Sequence, residues 1–133
     1  MSAVLADTGP LHALADPSDQ FHSRAAKEMR LLEKRGVTVI VCYATLCEAY
    51  TLVLRRLGVE YARQWLAEIL EGATLVNPDV RDYLLGAERL ERFAGQPITL
   101  VDAVTAAIGG RMEIPIWTFD RHFSTMRAPV WRA

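Results

Sequence analysis

The chain is poor in cysteine: its 133 residues include only Cys42 and Cys47, with no histidine near either in sequence. That argues against a zinc site and a disulfide framework, and both thiols read as small buried hydrophobes. Charge of one sign is also lacking. Fifteen Lys and Arg stand against sixteen Asp and Glu, a formal net charge of −1 with a pI near 6.3. No global basic field therefore draws the molecule onto nucleic acid, and a polyanionic partner has to be gripped locally. Long hydrophobic runs are missing as well. Stretches such as 39–42 fall far short of the roughly 18 residues a membrane span needs. The opening MSAVLADTG has no basic segment, and Asp7 interrupts its apolar stretch, so no secretion signal is expected. With so little cysteine, the expected compartment is the reducing cytoplasm. Repeats, low-complexity tracts and linker-like runs are absent too. What is present is a 51% hydrophobic composition, enough for one buried core, so a single domain over residues 1–133 is expected.

Short apolar runs alternate with segments of helical period. Residues 4–6 form a first run, ending at Asp7, and are followed by the turn-formers Gly9 and Pro10 and a brief apolar stretch over 11–15. Phe21, Ala25, Met29 and Leu32 share one face of a helix over 21–35, which Gly36 stops. Residues 37–41, VTVIV, are β-branched and apolar on both faces, as in a central parallel strand. Leu46, Tyr50, Val53 and Leu57 mark a second helix closed by Gly58, and Tyr61, Trp65 and Ile69 a third that runs to Gly72. After a short run at 74–76, Asn77-Pro78-Asp79 starts a fourth helix carrying Leu84, Ala87 and Leu90 on its apolar face. A helix of small residues over 100–111, a strand over 114–118 and an extended piece around Val130 and Trp131 complete the chain. Strands separated by helices imply right-handed crossovers and a parallel, helix-flanked sheet.

In such a sheet the C-terminal ends of all strands lie along one edge, where ligands bind. Asp7 follows the first strand, and Asp120 lies two residues past Thr118 at the end of the last. Glu48 sits in the first turns of the helix after VTVIV, and Asp102 in the first turn of the small-residue helix. Taken singly, each has an ordinary structural reading. Asp102 and Glu48 complement a helix dipole, Asp120 caps a short helix, and Asp7 closes a turn before Gly9. Together they form an acidic pocket whose like charges raise one another's pKa unless a cation offsets them. Oxygen-only ligands suit Mg²⁺ or Mn²⁺, an arrangement that activates water against a phosphodiester.

The strings LADTGPLHAL, TLCEAY, LVDAVTAA and TFDRHF, in this order and spacing, resemble the four motifs of the PIN-domain family. The likeness covers essentially the whole chain, whose length is that of the VapC-type toxins of toxin-antitoxin pairs. It implies an α/β/α sandwich around a central parallel sheet of four or five strands. It also implies a Mg²⁺- or Mn²⁺-dependent ribonuclease with Asp7, Glu48, Asp102 and Asp120 as catalytic metal ligands. Thr8 and Thr118 would orient carboxylates or water. A homodimer and a small antitoxin, whose C-terminal segment lies across the active site, are implied as partners beside the RNA substrate. The same resemblance is compatible with a non-toxin RNA-processing nuclease or a catalytically silent RNA- or protein-binding module.

Two other enzymes share fragments of the pattern. Asp7-Thr8-Gly9 matches the catalytic loop of aspartic proteases, but that fold is almost all β. A phosphatase with Asp7 as nucleophile needs a second Asp at position 9, which is Gly. Among the remaining polar residues, Arg121 beside the acidic pocket is the candidate phosphate contact. Lys27, Arg30, Lys34 and Arg35 read as a solvated helix face. His12 and His122 are not spaced as a metal pair, Asp16 and Asp19 frame Pro17 in a turn, and His22 begins a helix as a cap, a surface group or a substrate neighbour.

Overall fold

The structure is a computed structural model that describes residues 2–133. Four parallel strands, β1 (Ala3–Ala6), β2 (Thr38–Cys42), β3 (Thr74–Val76) and β4 (Ile116–Trp117), form one sheet in the order β3-β2-β1-β4. Val130 meets Ile116 in an isolated parallel bridge, so the last extended piece borders the sheet without becoming a fifth strand. Helices α1 (Thr8–Ala15), α2 (His22–Lys34), α3 (Tyr43–Leu57), α4 (Val59–Gly72), α5 (Val80–Arg92), α6 (Leu100–Met112) and α7 (His122–Thr125) connect and follow the strands.

Because successive strand side chains point to opposite faces, the sheet divides its apolar residues between two cores. Val4, Ala6, Val41 and Trp117 join residues of α1 to α4, among them Leu32, Val53 and Trp65. Leu5, Ile40, Cys42 and Ile116 join the other core with Ala103, Ile108 and Phe123 of α6 and α7. Each face is covered by helices, giving the three-layer α/β/α architecture, and fully burying a side chain such as Leu5 contributes roughly 1.5–3 kcal/mol.

Three local readings change. Residues 8–15 are helical despite Gly9 and Pro10, because Pro10 lies in the first turn, where no intrahelical N–H bond is lost. The apolar face read for the fourth helix is rotated: Leu84 is 64% exposed, whereas Asp82 and Gly86 are buried against α6. A Cβ at Gly86 would lie 2.9 Å from Val104 Cγ2, so the small-residue side of α5 makes the close approach and turns Leu84 outward. Finally, Cys42 is buried but Cys47 is exposed, since it lies off the buried α3 face of Leu46, Ala49 and Val53.

Candidate functional site

The chain moves outward from β1 to β2 to β3 and then returns to the other side of β1 for β4, so the switch in strand order falls between β1 and β4. A crevice opens at the carboxyl ends of strands at such a point. There the Asp7 amide donates to the Trp117 carbonyl at 2.9 Å. The Thr118 hydroxyl donates to Asp7 Oδ2 at 2.8 Å and accepts from the Asp120 amide at 2.9 Å, tying the two strand-end aspartates to one side chain. Asp120 Oδ1 in turn accepts from the His122 amide at 2.8 Å. On the neighbouring elements, Thr8 Oγ1 at the start of α1 donates to Glu48 Oε1 in α3 at 2.7 Å. Asp102 is the third residue of α6 and closes a capping box: its amide donates to Thr99 Oγ1 at 3.1 Å, and the Thr99 amide donates to Asp102 Oδ2.

These residues border one cavity of about 570 Å³, with Asp7, Thr8, Glu48, Asp102, Asp120 and Arg121 in its wall. Phe21 and Phe119, with ring centroids 5.1 Å apart, supply an apolar flank. The topology thus brings together all four carboxylates singled out in the sequence. Asp7 stands at the N-cap position of α1 yet makes no cap hydrogen bond. The residue is 4% exposed and its Oδ1 has no hydrogen-bond partner. Burial pushes its pKa up from 3.8 to about 7, the charges of Asp102 and Asp120 add to the rise, and the Thr118 hydroxyl opposes it. Asp102 is also raised, first by burial, with the Asp120 and Glu48 charges contributing. A buried carboxylate oxygen without a partner, faced by further carboxylates, fits a hard divalent cation.

The sequence reading missed one member of the cluster. Carboxylate oxygens of Asp102 and Asp120 and a ring nitrogen of His122 lie within 4.8 Å of one another. His122 lies two residues past Asp120, and the loop bonds at Thr118 and Asp120 bring it back toward the aspartates. In the sequence, His12 and His122 are not spaced as a metal pair, and nothing else there pointed to it. His12 also enters the cavity wall, 6% exposed, with Nε2 3.5 Å from Asp16 and Nδ1 3.5 Å from Asp19. The turn at 16–19 therefore flanks a buried imidazole rather than only reversing the chain. His22 points elsewhere, with Nδ1 2.7 Å from the Ala13 carbonyl. Lys27, Arg30, Lys34 and Arg35 are exposed and line no part of this cavity.

The molecule is similar throughout its length to several solved structures. VapC20 of Mycobacterium tuberculosis, a sarcin-ricin-loop-cleaving toxin, superposes with a TM-score of 0.85 at 24% identity, covering 98% of this chain and 99% of that one. VapBC2 of Rickettsia felis, bound to a DNA fragment from its promoter, gives 0.75 at 15% identity over 98% and 97% of the two chains. The FitA–FitB structure of Neisseria gonorrhoeae gives 0.73 at 16% identity over 97% and 96%. No curated protein sequence matches significantly. The family model described as PIN domain matches residues 4–129, spanning both core faces and all four cavity carboxylates, and the chain belongs to the PIN domain family.

Proposed function

We propose that the protein is a metal-dependent ribonuclease, the toxin of a toxin-antitoxin pair, with Asp7, Glu48, Asp102 and Asp120 holding Mg²⁺ or Mn²⁺. The observation that carries this reading is Asp7, a buried carboxyl with a bare Oδ1 among like charges. Such an arrangement costs stability unless a cation offsets it. A divalent ion bound there would draw in a phosphodiester oxygen and make a water a better nucleophile. The protein's own groups set the geometry. Thr118 holds Asp7 and Asp120 in fixed relation, and Thr8 orients Glu48. Arg121, exposed at the cavity wall, is placed to contact a phosphate as it enters.

A small antitoxin is the proposed protein partner, supported by neighbours that include VapBC2 and the FitA–FitB pair bound to DNA. A homodimer is the proposed assembly, and the exposed Val80, Tyr83 and Leu84 on one side of α5 offer apolar surface for it to bury. No described helix is long and apolar enough to cross a membrane. The silent-module reading has less support, because all four carboxylates are present and border one cavity. Incubating the purified protein with structured RNAs tests the reading. Cleavage is expected with Mn²⁺, and loss of it in EDTA and in Asp7→Asn. Undiminished cleavage in EDTA would overturn the metal-dependent mechanism.

A further inference from the structure

We infer that His122 is a direct nitrogen ligand of this centre, so that the site is a mixed carboxylate–imidazole site selecting Mn²⁺ over Mg²⁺. The inference rests on the metal reading above and concerns which ion the chain is built for.

The geometry comes first. One ligand atom from each of Asp102, Asp120 and His122 falls within 4.8 Å of the other two. Ligands about 2.0–2.2 Å from a shared ion lie at most about 4.4 Å apart, so only a small adjustment separates this arrangement from a coordination shell. The second observation is independent of that spacing. His122 Nδ1 is buried and makes no hydrogen bond, although Asp120 Oδ1 stands 3.3 Å away. Buried ring nitrogens are ordinarily paired, and one left beside a carboxylate without a directed bond is a place for a cation. Asp7 Oδ1, also buried and bare, borders the cavity that Asp102 and Asp120 line.

The loop holds the imidazole in place. Thr118 Oγ1 accepts the Asp120 amide, and Asp120 Oδ1 accepts the His122 amide, so two short turns fix the backbone from the end of β4 to the start of α7. Phe123, next in sequence and fully buried, anchors α7 in the core beneath. The ring is therefore carried on a rigid segment, one-fifth exposed, and not on a mobile surface loop.

The consequence is selectivity. Mg²⁺ takes oxygen ligands in near-ideal octahedral geometry and gives up its waters reluctantly. Imidazole nitrogen suits the later transition ions, and affinity for N- and O-donor sites rises along that row from Mn²⁺. Adding the His122 nitrogen to the donor set thus favours Mn²⁺ over Mg²⁺ in a pocket whose carboxylates alone would accept either.

Electron spin-echo spectroscopy of Mn²⁺ added to the metal-stripped, full-length protein tests this without any substrate. Nitrogen coupling to the bound Mn²⁺ is expected in the wild type. It should disappear in His122→Phe and in His122→Gln, while His12→Gln keeps it. Isothermal titration should show that the His122 variants lose at least about tenfold in Mn²⁺ affinity, since removing even an outer hydrogen-bond partner of a metal ligand costs 10–100-fold. Their Mg²⁺ affinity should change less, narrowing the Mn²⁺ preference. Circular dichroism of the metal-free variants checks that they fold, and Gln serves if Phe does not. Mn²⁺ bound with no nitrogen coupling, or coupling that survives both His122 variants, overturns the inference while leaving a carboxylate metal site intact. No Mn²⁺ binding by the wild type overturns both.

Discussion

At the scale of single residues, Asp7 shows how a site is assembled at the expense of stability. It occupies the N-cap position of α1, where an aspartate usually accepts a backbone N–H, yet its carboxyl turns instead to Thr118 and the cavity. Its pKa of about 7, against an ordinary 3.8, means that the folded protein binds this proton more tightly than the unfolded chain. For metal-free protein the contribution is therefore fully present below about pH 4 and is lost as pH rises through about 7. A shift of that size corresponds to roughly 4 kcal/mol at about 1.4 kcal/mol per unit. Asp7→Asn removes the ionisation but keeps an oxygen acceptor for Thr118. Metal-free Asp7→Asn should melt higher than wild type at pH 8 and close to it at pH 4, and saturating Mn²⁺ should favour the wild type. Thermal melts in EDTA across this range check it. Equal midpoints at pH 8 would show that burial does not raise the Asp7 pKa.

At the scale of elements, the contact of α5 with α6 decides which α5 side chains are buried and which reach solvent. Asp82 is fully buried, completes the capping box with Asp79, and accepts two bonds from Arg111 of α6 at 2.9 Å each. The Arg111 guanidinium holds the Asp82 carboxyl below the usual range. Gly86, one turn on, lets the helices close: an added Cβ would meet Val104 Cγ2 at 2.9 Å and the Val104 backbone nitrogen at 3.2 Å. In an exposed helix Gly→Ala stabilises by close to 1 kcal/mol, but here the clash with backbone outweighs that gain. Gly86→Ala is expected to destabilise by about 1–3 kcal/mol in chemical denaturation, whereas Gly95→Ala, where no atom lies within 4 Å of the new Cβ, should change little. A stabilised Gly86→Ala would mean that α5 can move away from α6 at no cost.

At the scale of the whole molecule, the strand order places the site and the α5 packing sets the outer surface. Because the glycine side of α5 faces inward, Val80, Tyr83 and Leu84 are left 75%, 41% and 64% exposed, at i, i+3 and i+4 on one face. If a second copy covers this face, light scattering at micromolar concentration gives a dimeric mass, and Leu84→Glu shifts it to the monomer without lowering the monomer's own stability. A monomeric wild type would contradict the proposed assembly, and a dimeric Leu84→Glu would move the interface elsewhere.

Much of this was legible in the sequence, because strand and helix periods report burial averaged over an element. VTVIV read as a central strand since both of its faces are covered, and Asp7 and Asp120 could be assigned to one edge because parallel strands end together. Gly58 and the Asn77-Pro78-Asp79 start carried their own local chemistry, visible without any partner. What the tertiary structure alone decided were matters of partner and direction. The placement of helix 8–15 against α3 is one such matter. The outward turn of Leu84 depended on where α6 lies. The Thr8–Glu48 bond spans 40 residues, and the buried Trp117–Glu28 bond at 2.8 Å spans 89. Likewise, the entry of His122 among the aspartates depends on two hydrogen bonds that fold its loop back. A sequence pattern states that a face is apolar or that a carboxylate stands at a strand end; which atoms meet there is fixed by close packing between distant segments.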